Sequence, residues 1–131
     1  MESGASMSPR LATAAALMAL TGVIHVGMGG PEVYHPLLAA TPDPVLTLYL
    51  ALLWHFVTAF FALGALAFLW VAREPAGRGP VAVATAALML AMGALFFGFG
   101  IVHLGEVWTA PQWLIAAAIA ALALWPTRRP A

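Results

Sequence analysis

Four histidines, His25, His35, His55 and His103, and the acids Glu32, Asp43 and Glu106 are the side chains through which this chain could do chemistry. Neutral imidazole and carboxylate together suit a transition metal, and His103 and Glu106 stand at i, i+3 on one helical face. With His35 they form a candidate metal-ligating set. Haem b is held by two histidines on different helices with glycine nearby to make room for the macrocycle, and His25 and His103 both have glycine close by. His25, His55 and His103 are therefore the candidate cofactor contacts. The alternative for each imidazole is a hydrogen bond to a backbone carbonyl, to Thr21 or Thr58, or to water. The sequence has no GxSxG, no cysteine nucleophile, no phosphate-cradling glycine loop, no CxxCH and no HExxH. An acid–base pair of histidine with Asp43 or Glu106 would need a lid to assemble it, so no catalytic residue is assigned.

These few polar groups sit in a chain of 131 residues that is 63% apolar and 8% charged, with a mean hydropathy of +0.97. A soluble domain carries roughly a quarter charged residues, so this composition cannot build a water-facing surface. A net charge of zero and the absence of lysine argue against nucleic acid, and the absence of cysteine removes disulfides and thiol redox chemistry. The expectation is one all-α domain over residues 1–131, an integral membrane four-helix bundle. A hydrocarbon core about 30 Å thick needs roughly 20 apolar helical residues. The apolar runs are Leu11 to Met28, Val45 to Ala72, Val81 to Val102 and a short fourth, Gln112 to Trp125. Pro9, Pro44, Pro80 and Pro111 stand at their starts, where a missing N–H is tolerated, and Pro126 follows the last. Between the first two runs, residues 29–44 are too polar and Pro-rich to span. Val33, Tyr34, Leu37 and Leu38 there suit a short interfacial helix that caps the outer end as a lid.

Positive charge stays on the cytoplasmic side of short loops. Arg10, Arg73, Arg78, Arg128 and Arg129 all fall on one side, which predicts both termini in the cytoplasm. Trp70 and Trp125 then mark the inner interface, and Tyr34, Tyr49, Trp54, Trp108 and Trp113 the outer one. A secretory signal peptide competes for the first run, but the single Arg10 beside Glu2 and the lack of a small-x-small site in GVIHVGMGGPE favour a retained helix. Ala86, Gly93 and Gly100 at seven-residue spacing and the alanines of the last run offer close helix contacts, within a bundle or between copies. Met89 and Met92 are expected as core filling.

Gly22-Val-Ile-His25-Val-Gly27 recurs as Gly100-Ile-Val-His103-Leu-Gly105, and Trp70-Val-Ala-Arg73 is echoed by Trp125-Pro-Thr-Arg128. A tandem pair of helical hairpins or mere convergence of interface residues would each produce this pattern; the first would be a parallel repeat of the kind some transporters use. At 1.5 Å per residue, His25 lies roughly 24 Å and His103 roughly 35 Å along their helices, so the pair His25 and His55 suits one haem level better than His25 and His103.

The Arg10-led first span with Gly22, the segment Gly29-Gly-Pro-Glu-Val-Tyr34 and the Pro111-Gln-Trp113 opening of an Ala/Leu-rich last helix resemble the small bacterial four-span membrane proteins described as DoxX-like. The resemblance covers most of the chain through short motifs. It implies a membrane or redox-associated role, since the name-giving member is a quinol-oxidase subunit, and it carries no catalytic residue onto this chain. The expectation is a polytopic protein of the bacterial inner membrane with a His-lined outer pocket, acting as a non-catalytic binding or accessory subunit. Its partners would be the bilayer and either a second copy or a membrane complex. A haem- or metal-binding redox subunit is the alternative, and a small oligomeric transporter comes third.

Overall fold

The computed structural model describes residues 7–73 and 79–125, so Arg78, Arg128, Arg129 and most of the second Trp-to-Arg echo lie outside the described residues. The described chain is helical throughout its regular structure: α1 (Pro9–Gly27), a π-helical turn π1 (Gly30–Tyr34), α2 (His35–Ala40), α3 (Pro44–Arg73), α4 (Gly79–Phe99), a second turn π2 (Gly100–Leu104) and α5 (Gln112–Leu124). Proline occupies the first or second position of α1, π1, α2, α3 and α4, where its fixed φ and missing N–H cost least. Asp43 caps α3, its Oδ1 accepting from the backbone N–H of Val45 at 2.8 Å and of Leu46 at 3.0 Å.

Three helical stretches are long and apolar enough to cross a membrane: Pro9–Ala40, Pro44–Arg73 and Gly79–Leu104. The fourth, α5, has 13 residues and is about 20 Å long, short of the roughly 30 Å hydrocarbon core. Segment 29–44, expected as a loop with a lid, instead continues the first helix as far as Ala40. An α-helix through this segment would lose the donors that Pro31 and Pro36 owe to the carbonyls of Gly27 and Glu32. A π turn lies between the two prolines, its wider i→i−5 register seen in the His35 N–H donating to the Gly30 carbonyl. The chain thus passes both prolines while staying helical.

The helices pack as two hairpins, α1 against α3 and α4 against α5, with lesser contact of α1 on α5 and α3 on α4. Glycine sets the closeness of each pair. A Cβ on Gly22 would stand 3.1 Å from the Phe61 Cβ, one on Gly64 would overlap the Met18 methyl, and one on Gly93 would stand 2.9 Å from the Ala116 Cβ. Between lipid-facing helices, where no hydrophobic force separates helix from lipid, such close van der Waals contact is what favours association. The fully covered side chains, Met18, Phe68, Val71, Met89 and Ile119, gather toward the end that carries Arg10 and Arg73. Met89 is core filling, as its sequence context implied, and Ala86, Gly93 and Gly100 are all buried. At that basic end the Ser8 N–H donates to the Ala72 carbonyl at 2.8 Å, and the Arg10 guanidinium donates to the Trp125 carbonyl. One end of α1 is thereby tied to the ends of both α3 and α5. The threonine hydroxyls of α1, α3 and α4 donate to carbonyls four residues back, as Thr85 does to Val81 at 2.9 Å, so buried Thr85 is satisfied within its own helix.

Candidate functional site

Toward the opposite end the two hairpins differ. On the first, α1 and π1 lie along the start of α3, and their aromatic and imidazole rings form one continuous assembly. The His25 ring stacks on Trp54 with centroids 4.0 Å apart and planes at 22°, and it meets Phe61 at 5.7 Å. Tyr34 stacks on Trp54 at 5.0 Å and 16°. His55 meets the Tyr34 ring edge-on at 5.7 Å and 73°, and His35 meets it tilted at 5.7 Å. Contact therefore runs from His25 through Trp54 and Tyr34 to His55. Gly29 admits the indole, since a Cβ there would lie 3.0 Å from Trp54 Cη2.

Within this assembly the imidazoles have different tasks. His25 is half-buried, and its Nε2 lies 3.3 Å from the Trp54 carbonyl oxygen. A carbonyl can only accept, so Nε2 carries the proton in this contact and Nδ1 is the acceptor of the neutral ring. The same carbonyl accepts from the Thr58 hydroxyl at 3.1 Å. One helical carbonyl thus joins α1 to α3 where the chain leaves its close-packed region. His35 and His55 are exposed on either side of half-buried Tyr34.

His103 belongs to the other hairpin. It sits in π2, exposed, with its ring 5.6 Å from Phe99, and it borders a groove of about 380 Å³ whose walls include Met92, Phe96 and Leu104. The structure brings His25 and His55 to one ring assembly and leaves His103 outside it. A larger groove, about 910 Å³ between α1 and α3, is walled by alanine, glycine, valine and leucine with Thr58 and has no histidine in its lining.

The acids act on the backbone. Glu106 follows Gly105, which turns the chain at φ +73°, and its carboxylate accepts from the N–H groups of Trp108 and Thr109, the latter at 3.0 Å. Hydrogen bonding by Thr109 and by the Trp108 N–H holds the Glu106 carboxyl below the usual carboxylate range. The loop folds back on π2, where a Cβ on Gly100 would stand 2.8 Å from the Glu106 carbonyl oxygen. The Trp113 indole closes the turn by donating to the Val107 carbonyl at 3.1 Å. The proposed set His103, Glu106 and His35 is not assembled: among the described residues no three His, Asp or Glu side chains gather in a way that could hold a metal ion. The repeated motif also serves two purposes, since Gly22 admits Phe61 from a neighbouring helix while Gly100 admits the chain's own following loop.

Trp54 and Tyr34, placed from sequence only as interface aromatics, are the residues that organise the histidines. Their one sequence signal is Gly29, four residues after His25, which frees the space the indole fills. The class defined by these observations is an all-helical protein with three membrane-capable helices. Compared with known proteins, the chain matches no family model, no curated protein and no solved structure.

Proposed function

We propose that the protein is a polytopic protein of the bacterial inner membrane, with both termini cytoplasmic, that serves as a non-catalytic binding or accessory subunit. The orientation is supported by the arginines, all five of which fall on one side of the helical runs. The binding role is supported by one arrangement above all: Tyr34 flanked by exposed His35 and His55, on a base fixed by the Trp54 and His25 stack. Rings held by packing present their polar edges at little entropic cost, which suits recognition of a hydrogen-bonding group at the membrane surface. In this role His25 positions the assembly, and His35 and His55 make the contact. The smaller groove beside His103 is a separate contact point for an apolar ligand with one polar head.

The experiment is an absorption spectrum with elemental analysis on the detergent-purified protein, beside the His25→Ala and His55→Ala variants. A binding or accessory subunit gives no stoichiometric Soret band or metal, and its native complex loses the partner or ligand in His35→Ala and His55→Ala. A stoichiometric haem or metal signal that disappears in both His25→Ala and His55→Ala would overturn this reading in favour of a redox subunit.

A further inference from the structure

Along α3 the residues Val45, Tyr49, Leu52, Phe56, Leu63 and Leu66 follow alternating four- and three-residue steps, with Ala59 completing the series. That is the seam of a heptad repeat, sustained over three turns of the repeat. All six large side chains are exposed, from 56% at Leu52 to 72% at Phe56. The residues of α3 that are at least half-buried lie on its other faces, Thr47, Leu50, Trp54, Val57 and Phe61 among them.

Lipid can cover such a stripe only where there is hydrocarbon. The 30 residues of α3 make a rod about 45 Å long against a core of about 30 Å, a mismatch that tilting alone would absorb only at about 48°, outside the usual range of roughly 0–40°. With Arg10 and Arg73 held at the headgroups of the basic end, the hydrocarbon is used up near Leu52, and the turns carrying Val45 and Tyr49 project on the order of 12 Å beyond it. Leu46 and Leu48, also more than half exposed, flank them there. The six seam residues expose on the order of 700 Å² per copy, close to the roughly 800 Å² that each partner contributes to a stable interface.

We infer that this seam is the contact with a second copy of the chain, α3 lying parallel to α3 across a two-fold axis normal to the membrane. Two copies inserted in the same orientation bring the seam onto itself in register, Tyr49 beside Tyr49 and Phe56 beside Phe56, as an isologous contact requires. Packing closes the part inside the membrane, and the hydrophobic effect closes the projecting part around Val45 and Tyr49.

The chain has no cysteine, so single-cysteine variants of the full-length protein in lipid vesicles report proximity cleanly. Tyr49→Cys and Leu52→Cys, on the seam, are compared with Ala62→Cys and Leu95→Cys, exposed elsewhere on α3 and α4. All four sites are on the surface, so the substitutions spare the core. Oxidation is expected to give disulfide-linked dimer at the seam sites at least ten-fold above the controls. Excess lipid is expected to leave energy transfer between labelled full-length copies in place, and Phe56→Ala to lower it. Equal yields at all four sites, a maximum at Ala62→Cys in the alanine-walled groove, or transfer lost on modest dilution with lipid would each overturn the inference, the last identifying lipid as the cover.

Discussion

Replacing His25 separates a positioning histidine from a ligand. In His25→Ala the stack on Trp54, with centroids 4.0 Å apart, is removed together with the 3.3 Å hydrogen bond to the Trp54 carbonyl. An aromatic pair of this geometry contributes about 0.5–1.5 kcal/mol beyond its area. The hydrogen bond adds about 0.5–1 kcal/mol net, at the low end because it is long and because Thr58 still donates to the same carbonyl. The expected loss is about 1–2.5 kcal/mol. His25→Phe keeps the stack and loses only the hydrogen bond, so it should lose about 1 kcal/mol or less. Reversible unfolding in mixed micelles reads both, and a double-mutant cycle with Trp54→Ala should return a coupling of about 1 kcal/mol. The same cycle with Trp113→Ala, on the other hairpin, should return nearly none. If the His25–Trp54 coupling fell below about 0.3 kcal/mol, or if phenylalanine were as damaging as alanine, the stack would not be what holds α1 to α3 at this level.

Two further outcomes follow from the second hairpin. Gly93→Val places a Cβ 2.9 Å from the Ala116 Cβ, both on packed helices, and should destabilise by about 1–3 kcal/mol through overpacking; Ala116→Gly in the same chain should restore part of the loss in the same unfolding assay. The Glu106 carboxyl is held low by its hydrogen bonds to Thr109 and Trp108, so its contribution to stability is fully present above the ordinary carboxylate range and is lost as pH falls through the lowered value. Emission from Trp108 and Trp113 should therefore stay constant through neutral pH and change only in acid, and Glu106→Ala should show the acid-like emission at neutral pH.

Legibility followed the range of the forces involved. The bounds of α1, α3, α4 and α5 were readable to within a few residues, because proline and hydropathy act locally. The continuation through π1 was not. Gly29, Gly30, Pro31 and Pro36 read as a break under α-helical rules, and only the wider π register accommodates them. Asp43 and Glu106 were placed among acids that might assist histidine, whereas their partners are backbone N–H groups two and three residues onward. A carboxylate followed by Pro44, or preceded by Gly105, was the local sign of a cap and a turn.

The sequence by itself determined a helical, membrane-compatible chain, the placement of its helices and the charge asymmetry between its ends, since composition, hydropathy and proline position are properties of the chain read one segment at a time. Tertiary structure decided which helices pair and therefore which histidines meet. His25 finds a ring and a carbonyl 29 residues away because α1 lies along α3, while His103, in an almost identical motif, ends on the other hairpin beside Phe99. Two near-identical six-residue strings differ in surroundings because packing depends on what each glycine admits. At Gly22 it is the neighbouring helix, and at Gly100 it is the following loop.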